Sequence, residues 1–183
     1  MNHSIQLSSN KAKRVWDSDT TLLPAPVGQI ALAPSDYPAT TLDPAAQDMC
    51  EVIFVKNTSG GTLARGVLLV RDTGEEPLGY GVKAAPVNQH PATVVGVVPE
   101  NLVDENGAAV TAVADGAYFY AVRKGNVKVL TDASGATIDL GLIVDNDTAG
   151  NGKSAGTVTG AACGYWLATG SAGLVLARLN ATG

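Results

Sequence analysis

Glycine and proline divide the sequence into two regions of different composition. Gly28 is the single glycine among the first 50 residues, and the other 20 of the 21 glycines follow. Five of the nine prolines lie in those first 50 residues. Proline at this density interrupts a helix or a central strand, because it lacks an N–H group and fixes φ. We therefore divide the chain into an extended N-terminal arm, residues 1–48, and a β-rich body, residues 49–183. The arm has room for one helical turn at most, predicted at 43–47.

The arm carries apolar side chains and the one basic cluster of the sequence, Lys11, Lys13 and Arg14, with Trp16 directly after it. A segment of this composition cannot bury much of its own surface, so we expect it to lie against another surface. The basic cluster fits either a solvated terminus or an anchor on an acidic partner, with the tryptophan as an interface residue. The candidate partner-binding residues are Lys13, Arg14, Trp16, Leu22, Leu23, Ile30 and Tyr37.

The body alternates short apolar runs rich in β-branched residues with turns rich in glycine, asparagine and aspartate. Turns recur at intervals of roughly 8–15 residues, which is typical of a β-barrel or β-sandwich and not of βαβ units. No stretch shows the apolar period of an amphipathic helix flanked by caps. We predict an all-β body, a Gly-rich barrel or sandwich of about ten short strands. The predicted strands cover residues 51–56, 66–71, 80–84, 93–98, 109–113, 117–123, 127–130, 137–144, 157–167 and 174–179.

Composition excludes several functional classes. The formal net charge is −5 with only 12 Lys and Arg, so the chain lacks the basic face of a nucleic-acid-binding protein. Two cysteines and two histidines argue against a disulfide scaffold and a zinc cluster. No run of apolar residues is long enough to span a bilayer. The N-terminus has no apolar signal core, so we expect synthesis in a cytoplasm-like compartment.

Residues 145–154 carry two motifs that suggest ligand binding, and both are incomplete. Residues 150–154 end like a phosphate-binding loop, but the position that needs a glycine holds Asp147, whose carboxylate would repel phosphate. Asp145 and Asp147 begin like a calcium loop, but Ala149 offers no oxygen where the third ligand is needed. We interpret this segment as a polar hairpin loop, with no cofactor and no metal.

Catalytic residues are also not predicted. Cys50 and His90 are the two residues that could form a nucleophile and base, yet neither has a recognisable flanking motif. Cys50 lies beside an apolar strand, where cysteine commonly acts as a small buried hydrophobic residue. No Gly-x-Ser-x-Gly sequence of a hydrolase occurs. We predict that the chain is not an enzyme.

Three segments of the body resemble the capsid decoration, or cement, proteins of tailed bacteriophages. Residues 55–67 contain an asparagine turn followed by the "SG-TL-x-x-G" pattern, residues 92–97 contain a "VVGV" strand, and residues 114–129 resemble a "dG-x-x-v-x-v-x-G-x-v" hairpin. The resemblance spans roughly residues 51–180 and leaves the arm unmatched. It implies a β-rich body that binds the outer face of an expanded capsid, without an active site.

The resemblance leads to an expected function. We expect a structural virion protein, made in the host cytoplasm and located on the capsid surface. It would bind the expanded capsid and bridge capsomers, with its arm reaching neighbouring subunits. Its partners would be the major capsid protein and further copies of itself, for example in a homotrimer, with no nucleic acid and no membrane. One alternative is a phage tail, baseplate or fibre-associated structural β-protein. Another is a trimeric β-barrel enzyme or ligand-binding module, which would require convergent polar residues in a pocket.

Overall fold

The structure is a computed structural model that describes residues 5–17, 23–38, 47–74, 80–132, 135–145, 147–155 and 162–183. These residues form an all-β protein, which confirms the predicted fold class. The one α-helix among them, α1, is a single turn over Ser9–Ala12. No helix in the described ranges is long and apolar enough to cross a membrane.

Fifteen strands are present in the described residues, most of them short. They are β1 Val15–Trp16, β2 Ile30–Pro38, β3 Gln47–Asn57, β4 Leu63–Ala64, β5 Leu68–Arg71, β6 Gly81–Ala84, β7 Val94–Val97, β8 Leu102–Val103, β9 Ala109–Val110, β10 Ala112–Val113, β11 Tyr118–Thr131, β12 Gly141–Val144, β13 Gly152–Ser154, β14 Gly164–Trp166 and β15 Gly173–Asn180.

Eleven of these strands form one sheet, and β11 is its central element. The order is β13-β12-β14-β15-β11-β7-β5-β6-β3-β2, with β1 paired to β11 at the side. The first half of β11 also pairs directly with β3, whereas its second half pairs with β15. Strand β3 is therefore joined to β11 both directly and through β6, β5 and β7, so these five strands form a ring of pairings. Strands β4 and β10 form one separate small sheet, and β8 and β9 form another.

Strand β3 of the ring is buried on both faces at residues 52–55. In β3, Ile53 and Val55 belong to one core cluster, whereas Val52 and Phe54 belong to a second cluster on the other face. This alternation follows from the two-residue period of a strand. A strand with two buried faces needs an unbroken apolar run and not an alternating one. The run from residue 52 to 55 is therefore a consequence of its position between two cores.

The structure corrects the prediction of two strands at 117–123 and 127–130. Two strands imply a chain reversal between them, but the segment is one continuous strand, β11, with a register shift between Val122 and Lys124. Gly125 has φ +117°, and a Cβ placed there would lie 2.7 Å from the sulfur of Cys50. The glycine is thus required for an unusual backbone conformation and for the close approach of β3, not for a chain reversal.

Three other predicted strands differ in extent. The prediction at 109–113 corresponds to two short strands, β9 and β10. The prediction at 137–144 is a strand from Gly141 onward, because the preceding residues form a turn in which Asp139 has φ +66°. Within 157–167, strand β14 covers Gly164–Trp166, and residues 157–161 lie outside the described part of the chain.

The described residues of the arm lie on the body of the same chain. Strand β1 pairs with β11, and β2 pairs with β3 at one end of the sheet. Both Pro34 and Pro38 are in β2, where the register shifts between them, and proline is tolerated in such an edge strand because few ladder hydrogen bonds are lost. The helical turn predicted at 43–47 falls on residues outside the described part, except for Gln47, which begins β3.

Candidate partner-binding surface

Trp16, the aromatic residue predicted to contact a partner, is buried in the chain's own core. Its side chain is 7% exposed. Its ring packs edge-on against Phe54, with centroids 5.5 Å apart, and against Tyr120, at 5.9 Å. Edge-to-face contacts at these distances stabilise aromatic clusters beyond the area they bury. The tryptophan therefore attaches the arm to the faces of β3 and β11.

Lys13 takes part in a small network of polar side chains with Asp36 and Asn101. Its ammonium group forms an ion pair with Asp36 in β2. The other carboxylate oxygen of Asp36 accepts a hydrogen bond of 3.0 Å from the side-chain amide of Asn101. These bonds connect α1, the edge strand β2 and the loop before β8.

Tyr37 lies beside this group and donates a hydrogen bond to Glu100, which also pairs with Lys128 at 2.9 Å. Burial alone would raise the pKa of Glu100, but the hydrogen bonds from Tyr37 and Lys128 outweigh it and lower the pKa. Burial and the adjacent carboxylate together raise the pKa of Tyr37 far above its ordinary value. Lys13 and Tyr37 line a cavity of about 40 Å³, which is far smaller than a typical ligand pocket.

The remaining predicted residues do not join one surface. Arg14 forms an isolated bridge with Val103, and its Nε atom is buried without a hydrogen-bond partner in the described part of the chain. Leu23 packs against the larger core cluster, whereas Ile30 is 47% exposed. Leu22 lies outside the described residues. The structure thus brings Lys13 and Tyr37 together, and the role of the arm toward a partner stays a prediction.

The asparagine turn of the first resemblance segment is built around Asn57, which is fully buried. Its side-chain amide donates to the carbonyl oxygens of Gly61, Val113 and Ala114 at 2.8–3.0 Å, and its side-chain oxygen accepts from the N–H of Ser59 at 3.0 Å. Its own backbone exchanges hydrogen bonds with residues 116 and 117. Asn57 therefore joins the turn after β3 to the turn before β11, a link that the sequence pattern alone did not predict.

The segment that resembles a phosphate loop is part of a β-hairpin. Strands β12 and β13 pair in antiparallel register, so Lys153 lies in a strand and not at the start of a helix. Asp145 is buried and accepts a hydrogen bond from the backbone N–H of Asp147 at 3.0 Å. In the described ranges, no group of three His, Cys, Asp or Glu side chains is placed to hold a metal ion.

The two cysteines are buried, and His90 caps a short turn. Cys50 and Cys163 are both buried, as predicted for Cys50. Burial raises the pKa of the Cys163 thiol to about 12, which leaves it protonated at neutral pH. The ring Nδ1 of His90 accepts a hydrogen bond from the N–H of Ala92 at 3.2 Å and caps the short 3-10 turn at Pro91–Thr93. His90 thus caps a turn, and both thiols are enclosed within the fold.

Exposed apolar residues gather at a place that the sequence analysis did not identify. Ile138, Leu140 and Tyr165 are 49%, 37% and 44% exposed. Tyr165 pairs with Gly141 in the sheet, and the carbonyl oxygen of Leu140 accepts a hydrogen bond from the N–H of Trp166. No periodic pattern marks these residues, because two of them belong to a turn.

Comparison with known proteins gives one distant structural likeness. The sequence matches no protein-family model and no curated protein. Among solved structures, the chain is similar to the N base of the head fibre gp8.5 in bacteriophage phi29, with a TM-score of 0.47 and 14% sequence identity. The alignment covers 70% of this chain and 94% of the phi29 chain. At this level of similarity, the comparison assigns no activity or partner to the present chain.

Proposed function

We propose that this chain is a non-enzymatic structural protein of a tailed-phage virion, which binds the outer surface of the expanded capsid and bridges capsomers. Its partners are the major capsid protein and neighbouring copies of itself. The protein acts as a stable β-scaffold, and its charged and polar groups serve mainly to hold that scaffold together.

The main support is that the three segments resembling decoration proteins contact each other directly. The first contains the end of β3 and the Asn57 turn, the second contains β7, and the third contains most of β11. Strand β11 pairs with both β3 and β7, and Asn57 bonds to the residues before β11. Matches scattered by chance along a sequence would not be expected to meet in one core.

The described polar residues support a scaffold more than a catalyst. Asp72, for example, accepts hydrogen bonds from Lys83 at 2.9 Å and from Thr58 at 3.1 Å, which join β6 to β5 and to the asparagine turn. Arg123 pairs with Glu51 at 3.0 Å between β11 and β3. These ion pairs connect neighbouring strands, as expected for a structural scaffold.

Binding to the expanded capsid alone would stabilise that state by mass action. A ligand shifts a two-state equilibrium by its difference in affinity for the two states. Many copies on one shell add their contributions, so a modest affinity difference per copy suffices. In this proposal the arm, which includes the edge strand β2, also contacts neighbouring subunits.

Co-sedimentation with empty capsids of its own virus tests the proposal. The purified protein is mixed with compact and with expanded capsids, and bound protein is measured over a range of concentrations. Saturable binding to the expanded form alone is expected. Absence of binding to both forms would contradict the proposal and favour a tail, baseplate or fibre component, which electron microscopy of self-assembled rings or tubes would then reveal.

A further inference from the structure

The chain contains two Asn-Gly dipeptides, Asn106-Gly107 and Asn151-Gly152, which have the same chemistry but different surroundings. In such a pair the backbone nitrogen of the glycine can attack the side-chain carbonyl carbon of the asparagine, because the glycine has no Cβ to hinder the approach. The attack requires an asparagine side chain that can rotate and a glycine nitrogen that can leave its hydrogen bond. The sequence does not distinguish the two pairs, whereas the structure does.

Asn106 and Gly107 lie at the tip of the hairpin between β8 and β9, where residues 105–109 are all exposed. A Cβ placed on Gly107 would meet no atom within 4 Å, so the space around the pair is open. Strands β8 and β9 have two residues each and form a small sheet separate from the main one. A short hairpin with few buried contacts opens locally at a low cost in free energy.

Asp104 keeps this hairpin tip closed. Its side-chain oxygen Oδ1 accepts hydrogen bonds from the N–H groups of Asn106 and Ala108, both at 2.8 Å. Its backbone oxygen accepts a hydrogen bond of 3.1 Å from the N–H of Gly107, which is the nitrogen that would attack. Gly107 has φ +86°, as expected for the left-handed position that ends such a turn. The glycine nitrogen is therefore available only while the turn is open.

The second pair is enclosed within the body. Asn151 is 6% exposed, and its backbone oxygen accepts a hydrogen bond of 2.8 Å from the N–H of Asp145. Gly152 begins β13 and lies opposite Val144 of β12 in the ladder. A Cβ placed on Gly152 would lie only 2.5 Å from the side chain of Leu142. The reacting geometry at this pair thus requires β12 and β13 to separate, which would expose part of the core.

We propose that Asn106 is a site of spontaneous deamidation in the folded protein, and that Asp104 controls its rate. The Gly107 nitrogen forms a bond to Cγ of Asn106, its proton passes through water to the departing amide nitrogen, and ammonia leaves a succinimide ring. Water then opens the ring with no change of oxidation state. Addition at Cγ gives aspartate, and addition at the backbone carbonyl carbon gives isoaspartate. Either product adds one negative charge beside Asp104 and Glu105.

Peptide mapping of the aged full-length protein tests this assignment. The protein is kept for weeks in mildly alkaline buffer, with or without guanidinium chloride, and its digested peptides are separated and identified by mass spectrometry. In the native protein we expect Asn106 to convert while Asn151 stays intact, and in guanidinium chloride we expect both to convert at similar rates. A native Asn106 that stays intact throughout, or equal native conversion of the two sites, overturns the assignment.

Two variants test the control by Asp104. Asp104→Ala removes two hydrogen bonds of the turn, so it should speed the conversion of Asn106 by about tenfold. Asp115→Ala is the matched control, because Asp115 also accepts a backbone hydrogen bond, from Gly60 at 2.9 Å, and should leave the rate unchanged. Equal rates for Asp104→Ala and the wild type overturn the role of Asp104. Conversion of Asn151 together with Asn106 in Asp104→Ala would indicate global unfolding and contradict the local opening.

Discussion

Replacement of Asn57 by alanine should be among the most destabilising single changes in the body. The side chain is fully buried; the two hydrogens of its NH2 group are shared among three carbonyl oxygens, and its side-chain oxygen accepts one hydrogen bond. Each such bond contributes about 1 kcal/mol net, and the buried groups left behind lose their partner. Water can reach the exposed residues 59–61, which reduces the loss at that end. We expect Asn57→Ala to lower the free energy of unfolding by about 3–4 kcal/mol.

Urea unfolding followed by circular dichroism measures this loss, and a loss of that size corresponds to a fall in Tm of roughly 6–16 °C for a chain of this length. Asn57→Asp should be at least as damaging, because it replaces the amide donor by a carboxylate facing three carbonyl oxygens. Asn101→Ala is the matched control, since Asn101 is exposed and makes one side-chain bond. A loss below about 1 kcal/mol for Asn57→Ala would refute the view that this residue joins the two turns.

Three further predictions concern the core and its ionisable groups. Gly125→Ala should lower the free energy of unfolding, measured with urea, by about 2 kcal/mol, because φ is positive and the added Cβ would meet Cys50. An unchanged urea midpoint would contradict the close approach of β3. The pKa of Asp72 is lowered mainly by its hydrogen bond from Lys83, and that of Glu100 is lowered as well. Because stability is lost as pH drops through a lowered folded-state pKa, Tm should be constant above about pH 5 and should fall below about pH 4. Glu100→Gln should flatten this fall, and an identical profile would argue against the bonds to Glu100. Cys163 should resist iodoacetamide at pH 8 and react only on unfolding, as mass spectrometry of the labelled peptide would show; rapid native-state labelling would contradict its burial.

The all-β class could be predicted from the sequence because its signals are local. The unbroken apolar run at residues 52–55 and the turn cluster that follows it both reflect the immediate chain geometry. Gly125 shows the limit of this reasoning. A glycine between two apolar runs fits a turn, but it equally fits a strand that another strand approaches closely, and only the position of Cys50 distinguishes the two cases.

The arm shows a different limit. Its apolar residues correctly indicate that it needs a surface, yet the sequence does not say which one. Trp16 meets Phe54 and Tyr120, residues 38 and more positions away, and such contacts carry no periodic signal.

Cryo-electron microscopy of expanded capsids incubated with the purified protein tests the central claim most directly. The account predicts ordered density for the β-body on the outer surface of the shell, at positions that bridge capsomers, and none on compact capsids treated in the same way. Undecorated expanded shells, or density for this chain on the tail alone, would contradict it.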